Sequence, residues 1–186
     1  MNSDKNYSEQ ELFWAGNFGD DYTERNSNED LMASNIHLFS NILSYTKDIS
    51  SVIEFGANRG LNLIALKHLL PKVQLSAVEI NARAVSHLKT LSLNNIWHQS
   101  ILDTNEIDPH DLALFKGVLI HVNPEDLFQA YDVCYKASNR YIVLCEYYNP
   151  TPVEVAYRGH HKKLFKRDFA GEMLDRFKDL RVVHYG

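Results

Sequence analysis

The sequence predicts an α/β domain with a doubly wound, mostly parallel β-sheet and further helices ahead of the first strand. Short runs rich in β-branched residues alternate with segments of helical periodicity from residue 51 onward. A glycine-rich turn follows the first of these runs, and an acidic residue ends the second. The chain has 186 residues, of which 45% are hydrophobic and 23% charged, so a single domain over residues 1–186 can bury its own core.

Two helices are predicted before the sheet. The first begins after Ser8, whose side chain is positioned for a capping box with Glu11. The second covers residues 29–46, where apolar residues recur at helical spacing. We expect residues 1–46 to form a helical lid on a core of residues 47–186.

Strand and helix patterns then alternate through the rest of the chain. Strands are predicted over residues 51–55, 74–80, 96–100, 111–118, 140–148 and 181–185. Helices are predicted over residues 61–70, 82–93 and 168–177, and another begins at Asn123, which can cap it ahead of Pro124. Repeated strand–helix units favour a parallel sheet with ligands at the carboxyl ends of its strands.

The turn after the first strand reads G-A-N-R-G over residues 56–60. Gly56 and Gly60 allow a tight bend, but a dinucleotide-binding turn has a third glycine where this chain has Asn58. This difference argues against a nicotinamide-dependent oxidoreductase. The Asn58 amide can hydrogen-bond a zwitterionic amino-acid group, while the N-terminus of the next helix favours the carboxylate of that group.

Glu79 lies in the second predicted strand, close to its end and 19 residues beyond Gly60. An acidic residue about 20 residues after a glycine turn, at the tip of the neighbouring strand, is placed to accept both hydroxyls of an adenosine ribose. Each feature alone is common in proteins that bind no such ligand. Together, in this order and at this spacing, they predict a cofactor that contains adenosine.

Two segments are similar to class I S-adenosylmethionine-dependent methyltransferases. Residues 52–60 (VIEFGANRG) resemble motif I of that class, and residues 77–80 (AVEI) resemble its ribose-binding segment. Longer strings resemble the pseudaminic acid biosynthesis-associated methylases: residues 13–26, 115–127, 146–155 and 157–160. The resemblance extends over nearly the whole chain from Leu12.

This resemblance implies a Rossmann-like class I methyltransferase fold and methyl transfer from S-adenosyl-L-methionine, with S-adenosyl-L-homocysteine as the product and no metal. The resemblance does not by itself define the acceptor, but it places a nonulosonic or amino sugar, or its activated precursor, first among small metabolites, and the basic segment of residues 158–167 favours an anionic one. Domains of this class end with a sixth strand and an antiparallel seventh, and the chain stops at Gly186, just after the sixth-strand pattern. The last strand is therefore expected to be missing.

Residues of the glycine turn, of the strand ends and of the N-terminal segment are expected to hold the cofactor: Tyr22, Arg25, Glu54, Gly56, Asn58, Gly60, Glu79, Ile80, Ser100, Ile101 and Lys116. Arg25 belongs to the N-terminal string and could pair with the methionine carboxylate. Trp14 or Phe18 could cover the sulfonium and exclude water, and packing inside an ordinary helical lid explains them equally well.

Methyl transfer from a sulfonium is an in-line displacement, so the main requirement is alignment, with a base only where the acceptor carries a proton. His121, just beyond the fourth strand, is a candidate base, or else a histidine that stabilises the cap of the following helix. Tyr148, at the end of the fifth strand, is a second candidate catalytic residue. Acceptor contacts are expected from the same strand end and from a later segment: Glu146, Tyr147, Asn149, Arg158 and His160.

Residues 158–167 hold five lysines and arginines within a chain of formal charge −5. This segment either binds an anionic acceptor or forms a solvated loop. Net acidity, and the lack of an adenine-methyltransferase motif after the fourth strand, argue against nucleic acid as a partner. The sequence has no membrane-length apolar run, and Cys134 and Cys145 have no C-x-x-C partner, so we expect a cytoplasmic protein.

A second function also fits these patterns. A noncatalytic S-adenosylmethionine-binding or partner-docking module would have the same fold, because fold does not determine function. A missing last strand would leave a sheet edge open for pairing with a partner. The oligomeric state does not follow from the sequence.

Overall fold

Five parallel strands form the central sheet of the structure, a computed structural model that describes residues 7–25, 30–103 and 107–186. The strands are β1 (Ser51–Phe55), β2 (Gln74–Glu79), β3 (Asn95–His98), β4 (His110–Lys116) and β5 (Ser138–Cys145). Their order is β3-β2-β1-β4-β5, so the direction of strand addition reverses between β1 and β4. A reversal of this kind opens a crevice at the carboxyl ends of the strands, where ligands bind in such sheets.

Helices cover both faces of the sheet and bury its alternating side chains. They are α4 (Leu61–Leu69), α5 (Ala82–Leu88), α6 (Leu127–Lys136) and α7 (Phe169–Arg176). Phe55 and Phe115 belong to the buried cluster that includes α6 and α7, whereas Val52 and Leu114 belong to the cluster that includes α4. Neighbouring residues of one strand point to opposite faces, so β1 and β4 contribute to both cores.

Three helices precede the sheet: α1 (Glu9–Ala15), α2 (Asn17–Arg25) and α3 (Asp30–Ser44). The predicted capping box at Ser8 and Glu11 is confirmed. The separate helix α2 was not predicted, and it crosses close to α1, because a Cβ atom on Gly19 would lie 1.8 Å from the Trp14 carbonyl oxygen. Within the described ranges, no helix is both long enough and apolar enough to cross a membrane.

The predicted sixth strand is wrong. Residues 181–186 have no regular secondary structure, and the side chains of Val182, Val183 and Tyr185 are exposed. A β-branched pattern becomes a strand only where a neighbouring strand accepts its hydrogen bonds, and in the described part of the chain none pairs with this segment.

Other boundaries also differ from the sequence predictions. Helix α6 begins at Leu127, because Asn123 accepts the Glu125 N–H at 3.3 Å and closes a turn rather than capping the helix. Helix α5 ends at Leu88, earlier than predicted. A small antiparallel hairpin, β6 (Val153–Glu154) with β7 (Phe165–Lys166), was not predicted, since two-residue strands carry no periodic signal.

Gly56 allows the loop after β1 to approach the turn after β4. Its φ is +66°, and a Cβ atom there would lie 2.6 Å from Val118 Cγ2. Gly117 has a similar φ of +68°, but its Cβ would meet nothing within 4 Å. The two positions share a backbone conformation and differ only in the surrounding space.

We expect Gly56→Ala to lower the free energy of unfolding by about 2–4 kcal/mol, because the left-handed conformation costs about 1–2 kcal/mol and the contact with Val118 adds an overpacking cost. Gly117→Ala should cost only about 1–2 kcal/mol, from the conformation alone. Urea unfolding monitored by circular dichroism measures both. Equal losses in the two variants would contradict the close approach at Gly56.

Candidate functional site

A cavity of about 300 Å³ lies at the carboxyl ends of the central strands, in the crevice where strand order reverses. Its walls come from the loop after β1, the ends of β2 and β3, the turn after β4, and helices α1 and α2. Nine predicted site residues line it: Tyr22, Gly56, Asn58, Glu79, Ile80, Ser100, Ile101, Lys116 and His121. The site also includes residues that the sequence analysis missed, among them Asn62 and Asn81.

Glu79 joins the glycine turn to the end of β2. One carboxylate oxygen accepts the Asn58 N–H at 2.7 Å, and the other accepts the Asn81 N–H at 2.8 Å. Burial raises the pKa of this carboxyl, and these backbone hydrogen bonds oppose that effect. Each oxygen keeps the capacity to accept a second hydrogen bond from the cavity.

The glycine turn has left-handed backbone at three positions: Gly56, Asn58 (φ +48°) and Gly60 (φ +76°). Asn58 is the only non-glycine among them, and asparagine tolerates this conformation better than most residues. Gly60 does not line the cavity. A Cβ atom there would lie 2.6 Å from Leu91 Cδ1, so this glycine serves the packing of the turn against the segment after α5.

Glu54 lies in β1 behind the cavity wall and is only 1% exposed. One carboxyl oxygen accepts a hydrogen bond of 2.5 Å from Asn62 Nδ2, and Asn62 lines the cavity. Burial raises the pKa of Glu54 to about 8, although the Asn62 hydrogen bond and the charge of Lys116 oppose the shift. Glu54 is therefore largely protonated at neutral pH.

Four buried polar atoms around this cavity have no hydrogen-bond partner among the described residues: Trp14 Nε1, Glu54 Oε2, Asn58 Oδ1 and Asn62 Oδ1. Trp14, Asn58 and Asn62 all line the cavity. A buried polar atom without a partner costs about 1–3 kcal/mol, and a bound ligand is one way to supply the partner. Two of the four atoms, the side-chain oxygens of Asn58 and Asn62, require a donor, and the Trp14 N–H requires an acceptor. Because Oε1 of the neutral Glu54 carboxyl accepts from Asn62, Oε2 carries the proton and is itself a donor.

Asn81 fastens helices α1 and α2 over the cavity. Its side-chain oxygen accepts the Ala84 N–H at 2.9 Å and caps α5. Its Nδ2 donates to Asp20 Oδ1 at 2.8 Å and to the Trp14 carbonyl oxygen at 3.2 Å. The end of β2 and the two N-terminal helices are therefore connected through one side chain.

The predicted cofactor residue Arg25 lies outside the cavity lining. Its guanidinium lies 5.7 Å from the Phe18 ring centroid, at the exposed end of α2. Tyr22, one turn earlier, does line the cavity and packs edge-on against Trp14 with ring centroids 5.3 Å apart. Asn26, the last residue of the N-terminal string, lies outside the described residues.

His121 ends a short 3₁₀ helix, Leu119–His121, that follows β4. Its Nδ1 donates to the Lys163 carbonyl oxygen at 2.5 Å, which leaves Nε2 without a proton. Burial lowers the pKa of His121 to about 4, so the imidazole is neutral at physiological pH. The ring packs against Trp14 at 4.5 Å and Tyr157 at 5.0 Å, and it makes no cap for α6.

Glu146, predicted to contact the acceptor, binds backbone instead. Its carboxylate accepts the N–H groups of Val118 at 2.9 Å, Leu119 at 3.0 Å and Ile120 at 3.4 Å. These bonds hold the 3₁₀ helix that carries His121. Burial raises the pKa of Glu146 to about 7, and the backbone hydrogen bonds limit the shift.

The remaining predicted residues lie outside the cavity lining. Tyr148 is 66% exposed, and Asn149 donates a 2.6 Å hydrogen bond to the Thr151 carbonyl oxygen. Arg158 and His160 are exposed on the β6–β7 hairpin. The structure therefore brings the predicted cofactor residues together more completely than the predicted acceptor residues.

The basic segment of residues 158–167 is divided between structural and exposed charges. Lys163 is buried and forms a 2.6 Å ion pair with Glu9 of α1, and Arg167 pairs with Glu172 at 2.7 Å. The Lys166 ammonium lies 5.3 Å from the Tyr147 ring centroid. A simple solvated loop does not describe this segment, because two of its cations attach the hairpin to neighbouring helices.

Among the described residues, no three His, Cys, Asp or Glu side chains are arranged to hold a metal ion. No protein-family model and no curated protein matches the chain.

Solved structures of methyltransferases do match it. The sugar N-methyltransferase KedS8 from Streptoalloteichus sp. ATCC 53650 has a TM-score of 0.59 and 13% identity over 86% of this chain and 67% of its own. A SAM-dependent methyltransferase from Leishmania major has a TM-score of 0.64 and 16% identity over 79% and 62%. The plantazolicin methyltransferase BamL, in complex with a desmethyl-plantazolicin analogue and SAH, has a TM-score of 0.56 and 14% identity over 70% and 52%.

The chain thus spans about half to two thirds of the lengths of these proteins. At this level of identity the similarity concerns the fold. The five-stranded parallel sheet with its flanking helices is the Rossmann-like fold of class I S-adenosylmethionine-dependent methyltransferases.

Proposed function

We propose that this protein is an S-adenosylmethionine-dependent methyltransferase that acts on a small acceptor. The unpaired buried atoms at the cavity are the observation that carries this proposal. The methionine part of the cofactor has an ammonium with three N–H donors and a carboxylate that accepts hydrogen bonds. The unpaired oxygens of Asn58 and Asn62 can accept from the ammonium, and the Trp14 N–H can donate to the carboxylate.

Glu79, Ile80 and Ile101 would hold the adenosine part. The Glu79 carboxylate is fixed by two backbone N–H groups and retains acceptor capacity for the ribose hydroxyls. Ile80 and Ile101 follow β2 and β3 and line the same cavity, where they offer apolar surface to a purine ring. The bound cofactor supplies an electrophilic methyl group on its sulfonium.

His121 would accept the proton of the attacking acceptor group at Nε2. The Lys163 carbonyl holds the proton on Nδ1, so Nε2 keeps its lone pair, and the lowered pKa keeps the ring neutral. Glu146 would act as a positioning residue, because it fixes the backbone of the 3₁₀ helix that carries His121.

For the acceptor we propose an anionic metabolite such as a nonulosonic or amino sugar or its activated precursor. The strings resembling pseudaminic acid biosynthesis-associated methylases support this, as does the exposed Arg158. The structural similarity to KedS8, a sugar N-methyltransferase, further supports a sugar acceptor.

We expect S-adenosylhomocysteine to bind with higher affinity than 5′-deoxy-5′-methylthioadenosine, which lacks the amino-acid part. Trp14→Phe and Asn58→Gly should each weaken binding of S-adenosylhomocysteine by about 5- to 20-fold, the loss of one hydrogen bond of about 1–2 kcal/mol, and glycine tolerates the left-handed backbone of residue 58. Binding of the methylthio compound should change less than twofold. Isothermal titration calorimetry with both ligands measures this difference.

Glu79→Ala is the matched control. It should weaken binding of both ligands, because both contain the ribose. If Trp14→Phe and Asn58→Gly weakened binding of the two ligands equally, the unpaired atoms would not bind the amino-acid part.

Burial of Glu54 should also make stability depend on pH. The pKa of Glu54 is raised from 4.5 to about 8 in the folded protein, so its contribution is fully present below about pH 4.5 and is lost as pH rises through 8. At about 1.4 kcal/mol per unit of pKa shift, wild type without ligand should lose roughly 2–4 kcal/mol relative to Glu54→Gln between pH 5 and pH 8. Urea unfolding of both proteins across this range measures the difference, and the histidines titrate alike in both. A difference in the free energy of unfolding that stays constant with pH would show that folding does not raise the pKa of Glu54.

Incubation with isotopically methyl-labelled cofactor and a panel of sugar acids, amino sugars and nucleotide sugars should give a labelled product detectable by mass spectrometry.

His121→Asn keeps a donor for the Lys163 carbonyl and removes Nε2. This variant should lower kcat by about 100-fold and change affinity for S-adenosylhomocysteine less than threefold. Cofactor binding without transfer to any acceptor of the panel would favour the noncatalytic module instead.

A further inference from the structure

Two tyrosines from distant parts of the chain pack against the neighbouring rings of His121 and Trp14. Tyr157 of the hairpin lies 5.0 Å from the His121 ring and 6.4 Å from the Trp14 ring, and Tyr22 of α2 packs on Trp14 at 5.3 Å. Burial raises the pKa of the Tyr157 phenol, and Tyr22 and Tyr147 add to this shift by their proximity. Tyr22 and Tyr157 therefore flank Trp14 and His121, which line the cavity, on the side where His121 contacts the hairpin.

Two cations lie against tyrosines of this region. The Arg158 guanidinium lies 5.9 Å from the Tyr157 ring centroid, and the Lys166 ammonium lies 5.3 Å from the Tyr147 centroid. In the described part of the chain neither cation is in an ion pair, whereas Lys163 and Arg167 of the same segment both are. Lys162 is also exposed and outside any ion pair of the described residues, so Arg158 and Lys166 are the two of three available cations that lie next to tyrosines.

Backbone geometry places Arg158 at a turn tip. Arg158 and Gly159 form a two-residue turn closed by the Tyr157–His160 bridge, and their φ angles are +49° and +84°. Positive φ at both central residues is the usual geometry of a two-residue hairpin turn, and it leaves the Arg158 side chain at the exposed tip.

We propose that this rim, formed by Tyr22, Tyr147, Tyr157, Arg158 and Lys166, is the acceptor site and binds a hydroxylated small molecule through an oxyanion. The two cations bind the carboxylate or phosphate, the phenols hydrogen-bond neighbouring hydroxyls, and His121 faces the group to be methylated. This assignment rests on the proposed methyltransferase function and adds the location and chemistry of acceptor recognition. It includes Tyr157, which was not among the predicted acceptor contacts, and it selects Arg158 and Lys166 from the basic segment of residues 158–167.

The test uses the full chain saturated with S-adenosylhomocysteine and three probes: D-glucuronate, D-glucose 6-phosphate and uncharged D-glucose. Amide NMR titration should show that at least one anionic probe binds at least about tenfold more tightly than glucose. Arg158→Met and Lys166→Met should each weaken binding of that probe at least about fivefold, and Tyr157→Phe should weaken it about threefold. Lys178→Met removes one exposed cation elsewhere and should leave probe binding unchanged.

Affinity for S-adenosylhomocysteine should stay within twofold in all four variants, so a loss of probe binding cannot be attributed to the cofactor site. Tighter binding of glucuronate would identify a carboxylate acceptor, and tighter binding of glucose 6-phosphate a phosphorylated one. The proposed acceptor site would be overturned if glucose bound as tightly as the anionic probes. It would also be overturned if Arg158→Met and Lys178→Met bound the anionic probe with equal affinity. Failure of the wild type to bind S-adenosylhomocysteine would instead refute the proposed function.

Discussion

The Glu79 carboxylate is the interaction on which the site most depends. It accepts one backbone N–H from the glycine turn and another from the segment after β2, and so fixes two neighbouring loops to each other. Asn81, held by one of these bonds, then caps α5 and fastens helices α1 and α2. A buried carboxylate is costly unless donors satisfy it, so this arrangement is strongly constrained.

Glu146 fixes loops on the opposite side of the crevice from Glu79, and it does so in the same way, through backbone hydrogen bonds. It crosses from the end of β5 to the turn after β4 and accepts three backbone N–H groups. The two carboxylates thereby hold the loops on both sides of the strand-order reversal. Side chains such as His121 and Asn58 gain fixed positions because their backbones are fixed first.

The cover of the cavity is assembled from the two ends of the chain. Helix α1 meets the β6–β7 hairpin through the ion pair of the buried Lys163 with the exposed Glu9, and Trp14 packs against His121. Removing Glu9 would leave the buried Lys163 ammonium without its ion-pair partner beside the Phe13 ring. An acceptor beside His121 would therefore contact both the N-terminal helices and the hairpin, which makes its recognition sensitive to how they fit together.

The sequence by itself determined the features that depend on local pattern: the alternation of strands and helices, the bend at Gly56 and Gly60, the Ser8 cap, and Glu79 at the end of β2. It misassigned residues 181–185, because a strand needs a partner that no local pattern reveals. Only the tertiary structure decided that Glu146 binds backbone and that Lys163 is buried. The tertiary structure also determines which four buried polar atoms, at the cavity or behind its wall, have no hydrogen-bond partner among the described residues. These outcomes depend on which donors and charges long-range packing brings within about 3 Å, a distance that sequence spacing does not encode.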